Sequence, residues 1–469
     1  MKTVDKTVRQ HSLKIENFEE LKTIAERYTT VKNYVTSRYS GINSIHLIKN
    51  HRSEIRDKWL KDDFAKQFKL SARYWKLALD EAISNVKSMW SNTKNRIKEA
   101  LNKNNNLSDD DKHYIRYVLK SDLVFQSILT RKEFKKTEKL KELKVNELYI
   151  HNLIRRYIRK YKGSIPYSHK KRSFMIDKPM YDYFFKDNIL SIEIAGLKKA
   201  NRIKVSLKDK NFHKGNLRIV LQENNTLEIH RVKKVEVSEK SKQDYTLAID
   251  KGYTSLFATS SDLDYGEKLG EILTKETERL NTVNAKRNKI WAQIDKCEKD
   301  GDFEKAERIR VNNFGKIKYN RQKSKYDSLV KSYVNHSIYH MLDTEKPTIL
   351  ICEKLNFTSW YKKMCKSQKR KLARWIKGYI QERLDYICSL RQIKIVEVNP
   401  AYTSQICHKC GEFGIRKDKL FTCKSCGNTD ADINAAHNIE HRFLDNEITL
   451  YTSYKEVKEI LLNRKMGLA

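Results

Sequence analysis

The stretch that determines the class of the C-terminal half is Tyr245-Thr246-Leu247-Ala248-Ile249-Asp250-Lys251-Gly252. A short apolar run of this kind, bounded by a glycine-containing turn, is typical of a buried β-strand. The strand-like run that follows, Leu256-Phe257-Ala258-Thr259, predicts that the two strands pair as a hairpin. We therefore expect a sheet whose first strand ends in a carboxylate.

Further apolar runs predict two more buried strands, Thr348–Cys352 and Ile393–Val398. Ahead of them, the polar stretch from Thr274 to about Tyr333 predicts an antiparallel helix pair that turns at 300–302. Strands that alternate with long helices are typical of an α/β domain. The sequence thus predicts such a domain from Tyr245 onward.

The N-terminal half has a different pattern of residues. Residues 1–162 contain no proline and one glycine, Gly41, which predicts long helices. Residues 164–244 hold short alternating runs that predict a small β-barrel or sandwich. The opening run Thr3–Val8 is expected to add a strand to it, so that the helical block is an insertion. A helical core is predicted for Trp75, Leu79, Ala82, Ile83, Val86, Met89 and Trp90.

The net charge of the chain indicates which class of partner it binds. Its 469 residues carry 96 Lys and Arg against 59 Asp and Glu, a formal charge of +37. A positive charge of this size excludes the ordinary enzymes that act on neutral metabolites. It indicates a polyanionic partner, for which we expect nucleic acid; an anionic membrane surface is the alternative. No run approaches twenty apolar residues, so we expect a soluble, unexported, cytoplasmic protein.

Four of the eight cysteines are clustered. Cys407 and Cys410 form one pair, and Cys423 and Cys426 form a second pair twelve residues later. Two such thiolate pairs present four soft ligands in a tetrahedron, as structural zinc requires. We expect one structural zinc ion here, with His408 as a surface residue.

Carboxylates stand where the predicted strands end and where a helix begins. Asp250 and Glu353 each close an apolar run, and Asp432 opens a helical stretch after the second cysteine pair. Each alone is compatible with a turn former or a helix cap. Together they provide what two-metal phosphodiester hydrolysis needs, which is acidic oxygens that converge from separate elements on Mg²⁺ ions.

These runs carry a resemblance to a known family. The residues that carry it are Ala248–Gly252, Ile351–Leu355, Val398–Gly411, the second cysteine pair and Asp432–Ile439. They resemble the RuvC nuclease domain of TnpB proteins and of compact type V CRISPR effectors. The resemblance covers roughly Tyr245 to His441, whereas the N-terminal half matches only in size, charge and order of parts.

The resemblance implies a multidomain α+β protein. An RNase H-like (RuvC) α/β nuclease domain at 245–469 would carry a zinc-ribbon insert at about 404–429. A β-barrel wedge domain at 1–15 and 164–244 would precede it, interrupted by a helical recognition domain at 16–163. The implied activity is RNA-guided DNA cleavage next to a short protein-read motif, with a guide RNA and single- or double-stranded DNA as partners, in a bacterial, nucleoid-associated monomer or homodimer.

The resemblance also implies roles for individual residues. Asp250, Glu353 and Asp432 match the catalytic acids that hold two Mg²⁺ ions, and the four cysteines match the zinc ligands. Asp430 is the rival for the third acid, but it falls outside the matching Asp-x-Asn-Ala-Ala run. Arg416 is a candidate catalytic helper.

A basic run after Glu353 is a candidate for nucleic-acid contact. Cations interleaved with aromatic rings can line a groove for a single strand by charge and stacking. A solvated helix face with apolar anchors is the equal alternative, and a nuclear-localisation signal is a weaker one. The residues are Trp360, Tyr361, Lys362, Lys363, Lys366, Lys369, Arg370, Lys371 and Arg374.

Two other functions remain open at this stage. One is an RNA-guided DNA-binding repressor that no longer cleaves, against which the intact set of three acids argues. The other is a zinc-ribbon RNA-binding protein without enzymatic activity. Transposon and CRISPR versions share the motifs quoted above, so the sequence leaves that choice open as well.

Overall fold

The computed structural model of the chain describes residues 3–50, 52–102, 104, 107–198, 200–238, 244–315, 317–355 and 377–465. The chain forms two compact units. The first unit is Asp5–Lys234, and the second is Val235–Ala469 together with Met1–Val4. The three-domain boundaries inferred from the sequence stay a prediction.

After the strand at its start, the first unit is helical up to Tyr161, as the lack of glycine and proline predicts. The apolar residues that recur along its longest helix, from Trp75 to Trp90, are all buried, which confirms the predicted helical core. Short 3-10 turns lie at Ile42–Ser44 and Phe64–Phe68. The helices are α1 Phe18–Tyr39, α2 Ile45–Asn50, α3 Arg52–Lys61, α4 Ala72–Asn102, α5 Asp109–Lys120, α6 Asp122–Thr130, α7 Glu138–Lys141 and α8 Glu147–Tyr161.

The strands of the first unit form two sheets. One sheet has the strand order β1-β7-β6-β2 and the other the order β3-β4-β5. Because β1 lies beside β7, the opening segment does supply a strand to this region, as expected. The strands are β1 Thr3–His11, β2 Ser173–Ile176, β3 Tyr181–Lys186, β4 Ile189–Ala195, β5 Arg202–Ser206, β6 Leu217–Leu221 and β7 Leu227–Glu236.

Within the described ranges the strands of the first unit do not close into a β-barrel, so the prediction of a barrel is wrong. Pro179 lies in a 3-10 turn between β2 and β3, where it separates the two strands. A tight turn at Asp187 and Asn188, both with positive φ, then folds β4 back on β3. The two sheets are linked by an isolated bridge between Ser12 and Leu207 rather than by a continuous ladder.

The second unit contains a five-stranded sheet, a long helical arm and a small three-stranded ribbon. Its strands are β8 Thr246–Lys251, β9 Phe257–Thr259, β10 Asp264–Tyr265, β11 Ile349–Glu353, β12 Lys394–Val398, β13 Ile415–Lys417, β14 Leu420–Cys423 and β15 Gly427–Asp430. Its helices are α9 Leu269–Lys299, α10 Phe303–Asn313, α11 Ile317–Glu345, α12 Lys377–Leu390, α13 Ala431–Leu444 and α14 Tyr454–Lys465.

The large sheet has the strand order β10-β9-β8-β11-β12. Strands β8, β9 and β10 pair antiparallel, which confirms the predicted hairpin, whereas β11 runs parallel to both β8 and β12. Side chains alternate between its faces. Leu247 and Leu350 pack in the cluster that contains Leu273 of α9, while Ala248 and Ile351 pack with Ile439 of α13. Both faces are therefore covered, as a sheet with parallel central strands requires.

The predicted helix pair is a set of three helices. The turn at 300–302 is confirmed, since Gly301 has a φ of 79° and the Asp302 side chain accepts a hydrogen bond from the Lys305 amide. A second break, which the sequence analysis did not predict, follows α10 at 314–315. None of the helices within the described ranges combines the length and apolar character needed to cross a lipid bilayer.

A buried ion cluster ties helix to sheet in the first unit. Glu81 of α4 accepts hydrogen bonds from Lys32 Nζ at 2.6 Å, Arg218 Nη2 at 2.8 Å and the Tyr28 hydroxyl at 2.9 Å. Burial alone would raise the pKa of Glu81, but the Arg218 and Lys32 charges outweigh it and lower the pKa. The carboxylate is therefore charged at neutral pH and compensates two cations.

Replacement of this carboxylate tests the cluster. We expect Glu81→Ala to lower the free energy of unfolding by about 3 kcal/mol, because it leaves buried cations without a partner. Urea titration followed by circular dichroism measures the loss. Because the pKa of Glu81 is lowered by folding, its stabilising contribution is present above the ordinary carboxyl pKa and is lost as the pH falls through the folded-state value.

The exposed pair Lys22–Glu19, with its atoms 3.4 Å apart, provides the control. We expect Glu19→Ala to change the stability by less than about 1 kcal/mol. Equal losses in the two variants would contradict the assigned role of Glu81.

Candidate functional site

Two of the predicted acids meet at the carboxyl end of the central strands. Cys352 of β11 pairs with Ile249 of β8 in parallel register, so the next residues, Glu353 and Asp250, end neighbouring strands side by side. Each acid follows by two positions a residue that faces α13, namely Ile351 or Ala248. Strand alternation therefore directs both carboxylates to the face that α13 covers.

The third acid lies in the first turn of α13. Asp432 is 8% exposed, and its negative charge raises the pKa of Asp250, so it lies near that acid. Asp430 has a different position, since it is the N-cap of α13 and accepts hydrogen bonds from the amides of Asp432 and Ile433 at 2.8 and 3.0 Å. Its carboxylate is thus engaged in capping the helix.

The electrostatics of the acids show a local excess of negative charge. Burial, followed by the charges of Glu353 and Asp432, raises the pKa of Asp250 to about 8. Burial also raises the pKa of Glu353. Three neighbouring carboxylates are costly to ionise together, although the chain as a whole has a charge of +37. A bound cation would relieve that cost.

Protein cations and a hydroxyl contact the acids. Arg416 Nη2 lies 2.5 Å from Asp432 Oδ1, and the hydroxyl of the buried Thr403 donates a hydrogen bond to Glu353. Lys251 Nζ donates to the backbone carbonyl of Glu353 at 3.2 Å. The structure therefore brings the candidate helper Arg416 to one of the predicted acids.

A tight turn next to Asp250 depends on glycine. A β-carbon on Gly252 would lie 2.5 Å from the carbonyl oxygen of Ser255, closer than such atoms approach. The Gly252 amide donates to Leu256 O at 3.2 Å across the same turn. The glycine in the opening sequence run thus allows β9 to fold back directly after the acid.

Two of the four clustered cysteines, Cys407 and Cys410, precede β13, whereas Cys423 ends β14 and Cys426 lies just before β15. Together with β13, β14 and β15 they form the cysteine ribbon. The sulfurs of Cys407, Cys410, Cys423 and Cys426 are within 4.8 Å of one another, and two of them, those of Cys410 and Cys423, are 3.5 Å apart. Among the described residues this is the one group of three or more ligand atoms so close together. The arrangement fits one tetrahedral zinc ion and leaves no open coordination position. His408 is not part of the group. It is half-buried and not fully on the surface as predicted, because its ring contacts Asn434 and stacks on His437.

Amide side chains join the ribbon to α13. Asn434 accepts a hydrogen bond from the His408 amide at 3.0 Å and donates to Ile406 O at 2.8 Å. Asn438, one helical turn later, donates to the carbonyls of Thr403 and Ile406. Because both asparagines are nearly inaccessible, they hold the first cysteine knuckle against the helix that carries Asp432.

Thr403, Asn434 and Asn438 support the site although the sequence did not predict a role for them. All three lie in the runs that carry the family resemblance. The two asparagines carry a usable signal, since they are polar residues spaced four apart among apolar neighbours of a predicted helix. Polar groups at such positions are buried only when they have hydrogen-bond partners. Thr403 has no comparable signal, because its contact with Glu353 joins residues fifty positions apart.

The predicted nucleic-acid contacts lie outside the described residues. They are Trp360, Tyr361, Lys362, Lys363, Lys366, Lys369, Arg370, Lys371 and Arg374.

Comparison with known proteins gives a family match that includes the cysteine ribbon. Residues 378–439 match the family described as "Cas12f1-like, TNB domain". A TnpB-like protein of Aquifex aeolicus (strain VF5) is 35% identical over 102 residues, which are 20% of this chain and 33% of that protein. The CRISPR-associated endodeoxyribonuclease Cas12f1 of Sulfoacidibacillus thermotolerans is 38% identical over 74 residues, 15% of this chain and 18% of that protein.

The alignments therefore span a third or less of the length of these relatives. A solved structure titled as the mini-RNA-guided endonuclease CRISPR-Cas_phi3 aligns with 93% of this chain and 92% of its own, at 13% identity and a TM-score of 0.47. The sequence matches confirm the resemblance to the family of TnpB proteins and compact type V CRISPR effectors.

The cysteine cluster predicts the metal content of the protein. We expect one zinc ion per chain in the purified protein and none in the double variant Cys423→Ser/Cys426→Ser, because two thiolates do not hold structural zinc. Elemental analysis by mass spectrometry measures it. Cys297→Ser is the matched control, since Cys297 is buried in α9 and belongs to a different cluster. Zinc retained by the double variant would refute the assigned ligands.

Proposed function

We propose that this protein is an RNA-guided DNA endonuclease of the TnpB or compact type V effector type. It cleaves DNA complementary to a bound guide RNA, next to a short motif that the protein reads, by two-metal hydrolysis of the phosphodiester. The observation that supports this most is the parallel pairing that sets Asp250 beside Glu353, with Asp432 of α13 near enough for its charge to raise the pKa of Asp250. The match of the adjacent ribbon to the Cas12f1-like family adds support.

The topology of the second unit is consistent with the proposal. The strand order β10-β9-β8-β11-β12, with three antiparallel strands followed by two parallel ones, supports an RNase H-like (RuvC) domain at 245–469. The cysteine ribbon is then the insert that precedes the third acid. In the first unit, residues 16–163 are the proposed recognition domain, and 1–15 with 164–244 are the proposed wedge domain.

Asp250, Glu353 and Asp432 are the proposed ligands of two Mg²⁺ ions. Carboxylate oxygens are the donors that hard cations prefer, and the crowding of these three acids favours a site that gains positive charge. When bound, the ions supply a nucleophile from water and stabilise the charge on the attacking and leaving oxygens. The three acids lie on rigid elements, which is what a site of defined geometry requires.

The neighbouring side chains hold the acids in place. Thr403 donates to Glu353 and so restricts the orientation of that carboxylate. Lys251 is fixed between the Glu353 carbonyl and Gln381 Oε1, the latter 2.9 Å away. Arg416 neutralises part of the charge on Asp432 and extends from the ribbon to the site. Arg416 is thereby placed to contact a phosphate that binds between the acids, as an electrostatic helper.

The charge of the whole chain fits a guide RNA as a permanent partner. In guided nucleases, base pairing reads the sequence and protein cations hold the phosphate backbones. The chain has 96 basic and 59 acidic residues, and this excess of basic side chains is suited to holding phosphate backbones. The basic run from Trp360 to Arg374 remains a proposed contact surface for a nucleic-acid strand.

Guided cleavage by the purified ribonucleoprotein tests the proposal. The RNA that copurifies with the full chain is sequenced, and plasmid DNA complementary to its guide region is incubated with the complex and Mg²⁺. We expect cutting of the complementary plasmid only, and a rate at least about a thousandfold lower in Asp250→Asn because one metal ligand is lost. RNA retention by Asp250→Asn shows that the variant is folded.

The two aspartates at the start of α13 form a matched pair. We expect Asp432→Asn to abolish cleavage and Asp430→Ser to preserve it, since serine retains the capping function. Complementary DNA that is bound but not cut by the wild-type complex would refute the endonuclease and favour a guided repressor. RNA bound without recognition of complementary DNA would favour the zinc-ribbon RNA-binding protein.

Removal of the Arg416 charge provides an independent prediction. We expect Arg416→Gln to lower the cleavage rate at saturating Mg²⁺ by about 10²–10³, as for the loss of one electrostatic stabiliser. The Mg²⁺ concentration that gives the half-maximal rate should fall, because Asp432 loses a competing cation. A higher Mg²⁺ requirement would show that Arg416 acts only by maintaining the structure of the ribbon.

A further inference from the structure

Tyr402 has a backbone conformation that an aromatic residue rarely adopts. Its φ is 64°, in the left-handed region that favours glycine, because a β-carbon there crowds the following carbonyl oxygen. A residue keeps such a conformation only where its surroundings impose it, and these positions are concentrated at functional sites. Tyr402 directly precedes Thr403, whose hydroxyl donates a hydrogen bond to Glu353. The strained residue therefore adjoins the contact that orients a proposed metal ligand.

Aromatic rings from two other parts of the second unit hold the Tyr402 side chain. Its ring stacks on that of Tyr454, the first residue of α14, with the ring centres 4.1 Å apart and the planes at 29°. Phe413 meets the same ring edge-on, with the ring centres 5.5 Å apart. Tyr402 is buried whereas Tyr454 is 56% exposed, so the outer ring covers the inner one.

The helix that supplies Tyr454 is fixed against the same turn by apolar packing. Val457 and Leu461 of α14 are buried in one cluster with Ala401 and Tyr402. This packing holds α14 in place independently of the aromatic stack. Tyr454 is therefore presented to Tyr402 from a well-defined position.

Hydrogen bonds hold the residues on each side of Tyr402. The Ala401 amide donates to Asn399 Oδ1 at 3.0 Å, and Asn438 Nδ2 donates to the carbonyl of Thr403 at 2.9 Å. Because the chain is held on both sides, the backbone torsion angles of Tyr402 set the direction of the Thr403 side chain. In the left-handed conformation the Thr403 hydroxyl reaches the acid at the end of β11.

We propose that Tyr402 is a positioning residue for the nuclease site. Its stack with Tyr454 maintains the left-handed backbone that directs the Thr403 hydroxyl to Glu353, so that α14 helps to orient a proposed metal ligand. The effect on cleavage rests on the proposed function. The chain of contacts from Tyr454 to Glu353 does not, and it is tested separately.

Alanine and glycine at position 402 separate the backbone role of Tyr402 from the packing of its ring. Both substitutions remove the ring, but glycine adopts a positive φ without strain and alanine does not. In crystal structures of the full-length zinc-bound variants, we expect the Thr403 hydroxyl to contact Glu353 in Tyr402→Gly and to be turned away in Tyr402→Ala. A contact that persists in Tyr402→Ala, or that is lost in both variants, would overturn the proposal.

Guided cleavage should follow the same order. At saturating Mg²⁺ and DNA we expect the rate to fall about tenfold in Tyr402→Ala and less than about threefold in Tyr402→Gly, since the loss of a contact that orients a metal ligand typically costs about 10–100-fold. A glycine variant that is as slow as the alanine variant would show that the ring only fills space.

A double-mutant cycle tests whether Tyr402 acts through Thr403. Thr403→Val removes the hydroxyl and keeps the branched shape of the side chain. In that background we expect Tyr402→Ala to lower the cleavage rate by less than about twofold further, because the contact it disrupts is already absent. Two effects that multiply, as they do for independent sites, would contradict the assigned route.

The exposed Tyr454 extends the test to α14. We expect Tyr454→Ala to lower the cleavage rate by about two- to tenfold, the factor that corresponds to the loss of one aromatic pair. Leu462→Ala is the matched control, since Leu462 is exposed on the same helix and lies outside the cluster that contains Tyr402. Equal rates in Tyr454→Ala and Leu462→Ala would refute the role of α14.

A second control separates the glycine effect from general stability. Lys346 also has a positive φ, of 49°, but it is exposed and follows the end of α11. We expect Lys346→Gly to raise the stability in urea and to leave the cleavage rate unchanged. A change in its cleavage rate as large as the difference between Tyr402→Gly and Tyr402→Ala would overturn the specific role of position 402.

Failure of the nuclease proposal is recognised separately. A wild-type complex that does not cut complementary DNA refutes the endonuclease, whereas the crystal structures of the two Tyr402 variants still decide whether Tyr402 directs Thr403 to Glu353.

Discussion

The parallel pairing of β8 with β11 is the constraint on which the candidate site depends. It sets Asp250 beside Glu353 at one edge of the sheet, and strand alternation turns both carboxylates toward α13. A slip of one residue would turn one of the two acids to the opposite face of the sheet. The buried residues Ala248 and Ile351, packed against Ile439, make such a slip costly, so the hydrophobic core fixes the geometry of the polar site.

The cysteine ribbon acts on this site through a second set of contacts. Its β13 strand carries Arg416 to Asp432, and its first knuckle is held to α13 by the amides of Asn434 and Asn438. The ribbon contains little apolar core of its own, with Phe421 as its main buried ring. A metal is the usual means of holding so small a fold together. The position of Arg416 therefore depends on how firmly the cysteine cluster holds the ribbon together.

Features with a local signature could be predicted from the sequence. The strands that end in Asp250 and Glu353, the cysteine pairs and the helix that starts near Asp432 all follow from short patterns. Features that depend on distant pairing could not be predicted. The strands of 164–244 were expected to close into a barrel, but the 3-10 turn that contains Pro179 separates β2 from β3, and these two strands belong to different sheets. The contact of Thr403 with Glu353 likewise joins residues that are far apart in sequence.

The pairing of β1 with β7 has a consequence for how the first unit folds. The Ser12 hydroxyl accepts a hydrogen bond from the Leu227 amide, a contact that spans 215 residues. The helices α1 to α8 and the strands β2 to β6 lie between these two strands along the chain. During synthesis β1 therefore waits as an unpaired edge until the last strand of its sheet has left the ribosome. Its exposed and charged side chains, Asp5, Lys6 and Arg9 among them, are of the kind that keeps such an edge from pairing with another chain.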